Sequence, residues 1–179
     1  QIAAGVPATP GEEGEVVDYF SRKVEIDLKV QDDNTIDFKD LGWLQTVREG
    51  EVICDILMPT TGTPGTTVRG KLGPAPDGRH AVPPSGPGTH ISGDGTALLS
   101  SMAGVLTFIA DAFRVDPLLI VKGDVDNAIG NLDVIGDILI YGDIRDGYSV
   151  SATGNITVQG MVEAACVTAG GDVRISLGM

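Results

Sequence analysis

The 179-residue chain is poor in aromatic side chains, which make up 4% of it and include a single Trp, so its core must be aliphatic. It is also poor in cations: 12 Lys and Arg stand against 25 Asp and Glu, for a formal net charge of −13. The deficit is not uniform, with 13 acids against 5 bases in residues 1–60, 4 against 4 in 61–117, and 8 against 3 in 118–179. No basic face exists to neutralise phosphates, which excludes nucleic acid and anionic membrane as natural partners. The two cysteines, Cys54 and Cys166, form neither a CxxC pair nor a disulfide framework, and fit a reducing, cytoplasmic compartment. No apolar run approaches the ~18 residues of a membrane span, which speaks against membrane insertion. The start QIAAGVPATPGEEG lacks the basic and apolar segments of a signal peptide. The chain has no initiator Met and stops abruptly at ISLGM, so it reads as a fragment.

Glycine and proline, by contrast, are plentiful at 25 and 10 residues, beside 42% hydrophobic residues. That balance predicts many short strands joined by turns. In VEIDLKV, residues Val24, Ile26, Leu28 and Val30 alternate with polar neighbours, the period of a half-buried strand. Ile36 and Phe38 alternate likewise, and Trp43 with Leu44 starts a short apolar patch. VREGEVICDILMPTTGTPGTTVRGKL reads as strand, glycine turn, strand, then a tight loop at Gly62, Pro64, Gly65 and Gly70. Lys71 is followed by Leu72 rather than Ser or Thr, and no helical pattern follows, so the loop turns the chain and cradles no phosphate. Residues 73–90 form an irregular Pro/Gly loop holding Asp77, Arg79, His80 and His90, a candidate pocket if those side chains converge. ISGDGTALLSSMAGVLTFIADAFRV predicts paired hairpins with corners at Asp94–Gly95 and Ala103–Gly104. The pattern is barrel-sandwich-like, yet SSMAG has no Lys at its tip to carry a biotinyl or lipoyl group.

From Leu118 a repeat begins. Ile138 and Ile140 match Ile156 and Val158 eighteen residues on, then Val173 and Ile175 seventeen further, and Leu119 and Val121 nineteen before. A second face holds Ile144 and Val162, and a third runs from Leu132 and Val134 through Val150 and Ala152 to Val167 and Ala169. Coils of ~18 residues with three apolar sides and Gly, Asp or Asn corners predict a right-handed parallel β-helix. The corner acids are expected to turn the chain, since Asp and Asn tolerate left-handed or bridge backbone better than most residues.

Calcium-binding repeats run GGxGxD in tandem, whereas Asp124, Asp137, Asp143 and Asp172 each stand alone behind one Gly. Left-handed acyltransferase helices repeat a strict hexad and use a catalytic His, while His80 and His90 both precede the repeat. Ser100, Ser101, Cys54 and Cys166 have no nucleophile context, and Cys166 is expected to line the solenoid interior. No catalytic residue, cofactor or metal site is therefore called for.

The blocks EGEVICDILMPTTGTPGTTVRGK, ISGDGTALLSSMAGVLTF and VDPLLIVKGDVDNAIGNLDVIGDILIYGDIRDGYSVSATGNITVQGMVEAACVTAGGDVRIS carry a further signal. In content and order they resemble the bacterial flagellar assembly protein A family. The resemblance implies an all-β chain, with a β-rich N-terminal domain at 1–117 and a β-solenoid at 118–179 that continues beyond the fragment. It also implies a cytoplasmic, non-enzymatic protein acting through protein partners and self-association. An open solenoid end, with Val173 and Ile175 on or near it, would serve such contacts as a homo-oligomer interface. The alternative is a carbohydrate- or small-molecule-binding module, or an enzyme, using the Pro-rich loop and the groove between the two halves, with Asp77, Arg79, His80 and His90 as its pocket.

Overall fold

The computed structural model describes residues 5–23 and 43–178. The strand expected at 24–30 and the Ile36–Phe38 alternation lie outside the described residues. Among those residues there are only strands: β1 (Glu15–Asp18), β2 (Thr46–Val47), β3 (Val52–Leu57), β4 (Gly65–Thr66), β5 (Leu72–Gly73), β6 (Thr89–Ile91), β7 (Ala97–Ser100), β8 (Gly104–Ile109) and β9 (Ala112–Asp116). The solenoid follows as β10 (Leu118–Val121), β11 (Leu132–Val134), β12 (Asp137–Ile140), β13 (Ser149–Ala152), β14 (Ile156–Val158), β15 (Cys166–Ala169) and β16 (Val173–Ile175). None of the described residues belongs to a helix long and apolar enough to cross a membrane. The chain divides into two compact units. Among the described residues one gathers 5–19, Val52–Pro84 and Ile91–Leu99, and the other 20–23, 43–51, Ser85–His90 and 100–178.

In the first unit β3 pairs antiparallel with β1 and β7 around buried Ile53, Cys54, Ile56 and Leu98. The glycine loop closes as the β4–β5 hairpin, with Gly70 at φ 76° in its turn. The lead-in is pinned to this unit through backbone bonds, Val6 N–H to Thr66 O at 2.8 Å and Gly11 N–H to Pro76 O at 3.0 Å among them.

In the second unit β8 pairs antiparallel with β2 and β9. The corner expected at Ala103–Gly104 does not join a hairpin, because β7 pairs with β3 while β8 pairs with β2 and β9. The hairpin turn lies instead at Ala110 and Asp111, whose φ angles of 52° and 60° give the right-handed twist that a two-residue loop between strands requires. Ala110 stands where such turns usually carry Gly, Asn or Asp, and no Gly follows Asp111, so the sequence gives no strong turn signal there.

The solenoid has the register the repeat predicts. Leu119, Ile138, Ile156 and Val173 stack in one parallel sheet ordered β10-β12-β14-β16. Leu132, Val150 and Val167 stack in a second, ordered β11-β13-β15. The third side is a line of single bridges, Val125 to Ile144 to Val162. Ile138, Ile140, Ile144, Val150, Ile156 and Val158 are all buried, and with Val121, Val125, Leu132, Val134 and Val162 they form one aliphatic core. Burying each such side chain is worth about 1.5–3 kcal/mol. Cys166 departs from expectation: it is exposed on β15. Period-two alternation gives the inward positions of that strand to Val167 and Ala169, so Cys166 faces solvent in register with Ser149.

Candidate functional site

The corner residues are placed by the coil period and do more than bend the chain. The Asp143 N–H donates to Asp124 Oδ1 at 2.9 Å, and one coil later the Met161 N–H donates to Asp143 Oδ1 at 2.8 Å. At a second corner the Asn155 N–H donates to Asp137 Oδ1 at 2.7 Å, and the Asp172 N–H to Asn155 Oδ1 at 2.9 Å. Each side-chain oxygen thus satisfies a backbone donor of the following coil, a group that would otherwise be costly to leave unpaired. The paired glycine follows from the same geometry. At Gly142 and Gly154 a Cβ would fall inside contact distance of Asp124 Oδ1 and Asp137 Oδ1, and Gly160 and Gly171 meet Asp143 and Asn155 in the same way. None of the corner acids or amides has a positive φ. They occupy the coil corners without left-handed backbone, and their side-chain oxygens serve there as hydrogen-bond acceptors linking successive coils.

Arg145 ties one corner together. Its Nε donates to Asp124 Oδ2 at 3.1 Å, its Nη1 donates to Glu163 Oε1 at 2.8 Å, and its Nη2 lies 3.5 Å from Asp143 Oδ2. The Asp143 backbone N–H and then the Arg145 guanidinium hold the Asp124 carboxyl below its ordinary range. The hydrogen bonds to Asp124 and Glu163 push the Arg145 guanidinium up in turn. The 18-residue step from Arg145 to Glu163 equals one coil, so the contact is a signal the coil length carries.

Two grooves lie on the solenoid exterior. One of about 480 Å³ is lined by Trp43, Leu44, Asn131, Leu132, Asp133, Ser149 and Ser151. Trp43 packs against the solenoid core and its Nε1–H donates to Ile129 O at 2.9 Å, so the apolar patch expected at Trp43–Leu44 is spent on the first coil. A second of about 330 Å³ runs along the β10-β12-β14-β16 face over Leu139, Thr157 and Arg174, and is edged by the corner residues Asp137, Asn155 and Asp172.

The residues singled out for the alternative pocket line neither groove. Asp77, Arg79 and His80 are exposed in the first unit, where Asp77 Oδ1 accepts the Gly62 N–H at 2.8 Å and the Arg79 carbonyl accepts the Gly14 N–H at 2.8 Å. His90 belongs to the second unit and is exposed, with Nδ1 3.0 Å from Ser101 Oγ. Val173 and Ile175 stand on β16, which pairs with β14. Val173 is 43% exposed although its stacking partner Ile156 is fully buried.

No curated protein and no solved structure matches the chain. Two protein families do: the Flagellar Assembly Protein A N-terminal region over residues 1–111 and the Flagellar Assembly Protein A beta solenoid domain over residues 117–179. The second match covers the coils whose register and corner bonds are described above. With both family regions present in order along its length, the chain belongs to the flagellar assembly protein A family.

Proposed function

We propose that the chain serves flagellar assembly in the bacterial cytoplasm as a non-enzymatic scaffold, acting through protein partners and through association with further copies of itself. The family match supports the flagellar role. The observation that carries the scaffold reading is the use of the solenoid's polar groups. The corner carboxylates and Arg145 are engaged with one another and with the backbone of adjacent coils, an arrangement suited to a stiff rod. The partly exposed Val173 on β16 supports association between copies of the 179-residue chain.

Sedimentation velocity on the 179-residue chain tests the association directly. Concentration-dependent oligomers that disappear in Val173→Arg are expected, whereas a strict monomer at the highest soluble concentration overturns self-association through this face. Deleting the gene in its host and counting flagella tests the wider role; normal flagellation overturns it.

A further inference from the structure

The groove beside Trp43 has a chemistry that the scaffold reading leaves unused. Its floor is the outer face of the β11-β13-β15 sheet, where Asn131, Asp133, Ser149 and Ser151 all point away from the core because Leu132, Val134, Val150 and Ala152 take the alternate, buried positions. Neighbouring rungs stand about 4.8 Å apart and alternate residues along a strand about 6.7 Å apart, giving a flat polar array. The Ser149 N–H donates to Asn131 Oδ1 at 2.9 Å. The Asn131 amide nitrogen, the Asp133 carboxylate and the two Ser hydroxyls have no hydrogen-bond partner among the described residues. Trp43 and Leu44 form the apolar wall, and Trp43 has already committed its one polar atom to Ile129 O.

An apolar aromatic wall beside a floor of mixed donors and acceptors matches a sugar, which offers C–H faces and hydroxyls that both donate and accept. The volume of about 480 Å³ falls within the range of about 300–1,000 Å³ usual for small-ligand sites. Asp133 and the net charge of −13 disfavour an anionic ligand. An extended peptide would look for a free strand edge. The groove opens on a sheet face rather than an edge: β13 beneath it is paired on both sides, and among the described residues β11 pairs with β13 alone.

We propose that this groove, formed by Trp43, Leu44, Asn131, Asp133, Ser149 and Ser151, binds a neutral oligosaccharide. Its failure would leave the assembly role standing, because neither the corner bonds nor β16 takes part. Trp43 is the only tryptophan, so tryptophan emission of the full 179-residue chain, excited where its three tyrosines absorb little, comes from a side chain in the groove wall. The probes are the neutral tetrasaccharides cellotetraose, maltotetraose and chitotetraose, with tetragalacturonate as the anionic control. A saturable change is expected with at least one neutral probe at a Kd of about 0.1–1 mM, weakened about 10-fold in Asp133→Ala and in Ser151→Ala. The anionic probe should give none. Both variants lie on the solvent side of the sheet, and Asp133→Asn carries the same test if the Ala variant melts early. The proposal is overturned if no neutral probe saturates below about 10 mM, if the variants bind as the parent does, or if tetragalacturonate binds more tightly.

Discussion

Gly154→Ala separates two explanations of the glycine at each coil corner because they predict opposite signs. If the glycine only permits an unusual backbone, Ala should be harmless here, since Gly154 lies outside the left-handed region. Gly→Ala at a compatible φ and ψ normally stabilises by about 0.4–1 kcal/mol through the unfolded chain. The structure argues the reverse. A Cβ at 154 would overlap Asp137 Oδ1 and stand 2.8 Å from Gly136 O and 3.0 Å from Gly136 C, both rigid backbone of the preceding coil. Displacing the carboxylate forfeits its bond from the Asn155 N–H and leaves that donor unpaired, at about 1–3 kcal/mol. Forcing the coils apart adds an overpacking cost of about 1–3 kcal/mol. The expected net is a destabilisation of about 2–4 kcal/mol. Urea unfolding followed by Trp43 emission reads this out, because Trp43 packs on the solenoid core. The double variant Gly154→Ala/Asp137→Ala should recover only part of the loss, since the Gly136 backbone remains in the way. A neutral or stabilising Gly154→Ala would refute the close-approach explanation.

Ile138 is 1% exposed and stacks between Leu119 and Ile156, so Ile138→Ala should cost about 2–5 kcal/mol in the same unfolding assay; a cost below about 0.5 kcal/mol would contradict its interior position. Acid sensitivity follows from Asp124, whose folded pKa lies below its ordinary 3.8. The unfolded chain then takes up the proton first as pH falls, so the stabilisation is complete above that ordinary value and disappears as pH drops through the folded one. Asp124→Asn should flatten the loss of Trp43-monitored stability below pH 3.8, and an unchanged slope would count against the contact. In the other unit the Ser92 hydroxyl, followed by Thr96, lowers Asp94 to about 2, so its contribution should fade between pH 3.8 and about 2 and be absent from Asp94→Asn when followed by amide exchange in β7.

The solenoid was legible because its period is long, regular and written in apolar residues. Stacking Ile138 on Ile156 requires the same residue class at the same point of each coil, and that requirement leaves a repeat in one sequence. The hairpin at Ala110–Asp111 was not legible, since Ala in the first turn position is rarely left-handed and no Gly follows the Asp. Cys166 was misplaced because inward and outward positions differ by one residue, and a small, weakly polar side chain carries little information about its face. The place of the corner acids was legible, but their bonds to the next coil were not. Whether an Asp bends its own backbone or accepts a bond from the next coil depends on what lies one coil away, 18 residues along the chain.

Coil length, the identity of the inward ladders, the acidic surface and the family were determined by the sequence alone, because each is a sum or a periodicity of residue types. Only the tertiary structure decided that Gly142 and Gly154 make room for a carboxylate and that Arg145 joins Asp124 to Glu163. It also placed Trp43 beside Asn131, Asp133, Ser149 and Ser151, residues about 90 to 110 positions later. Those relations are contacts between side chains distant in sequence, fixed by the coil register and backbone geometry together, and no local pattern encodes them.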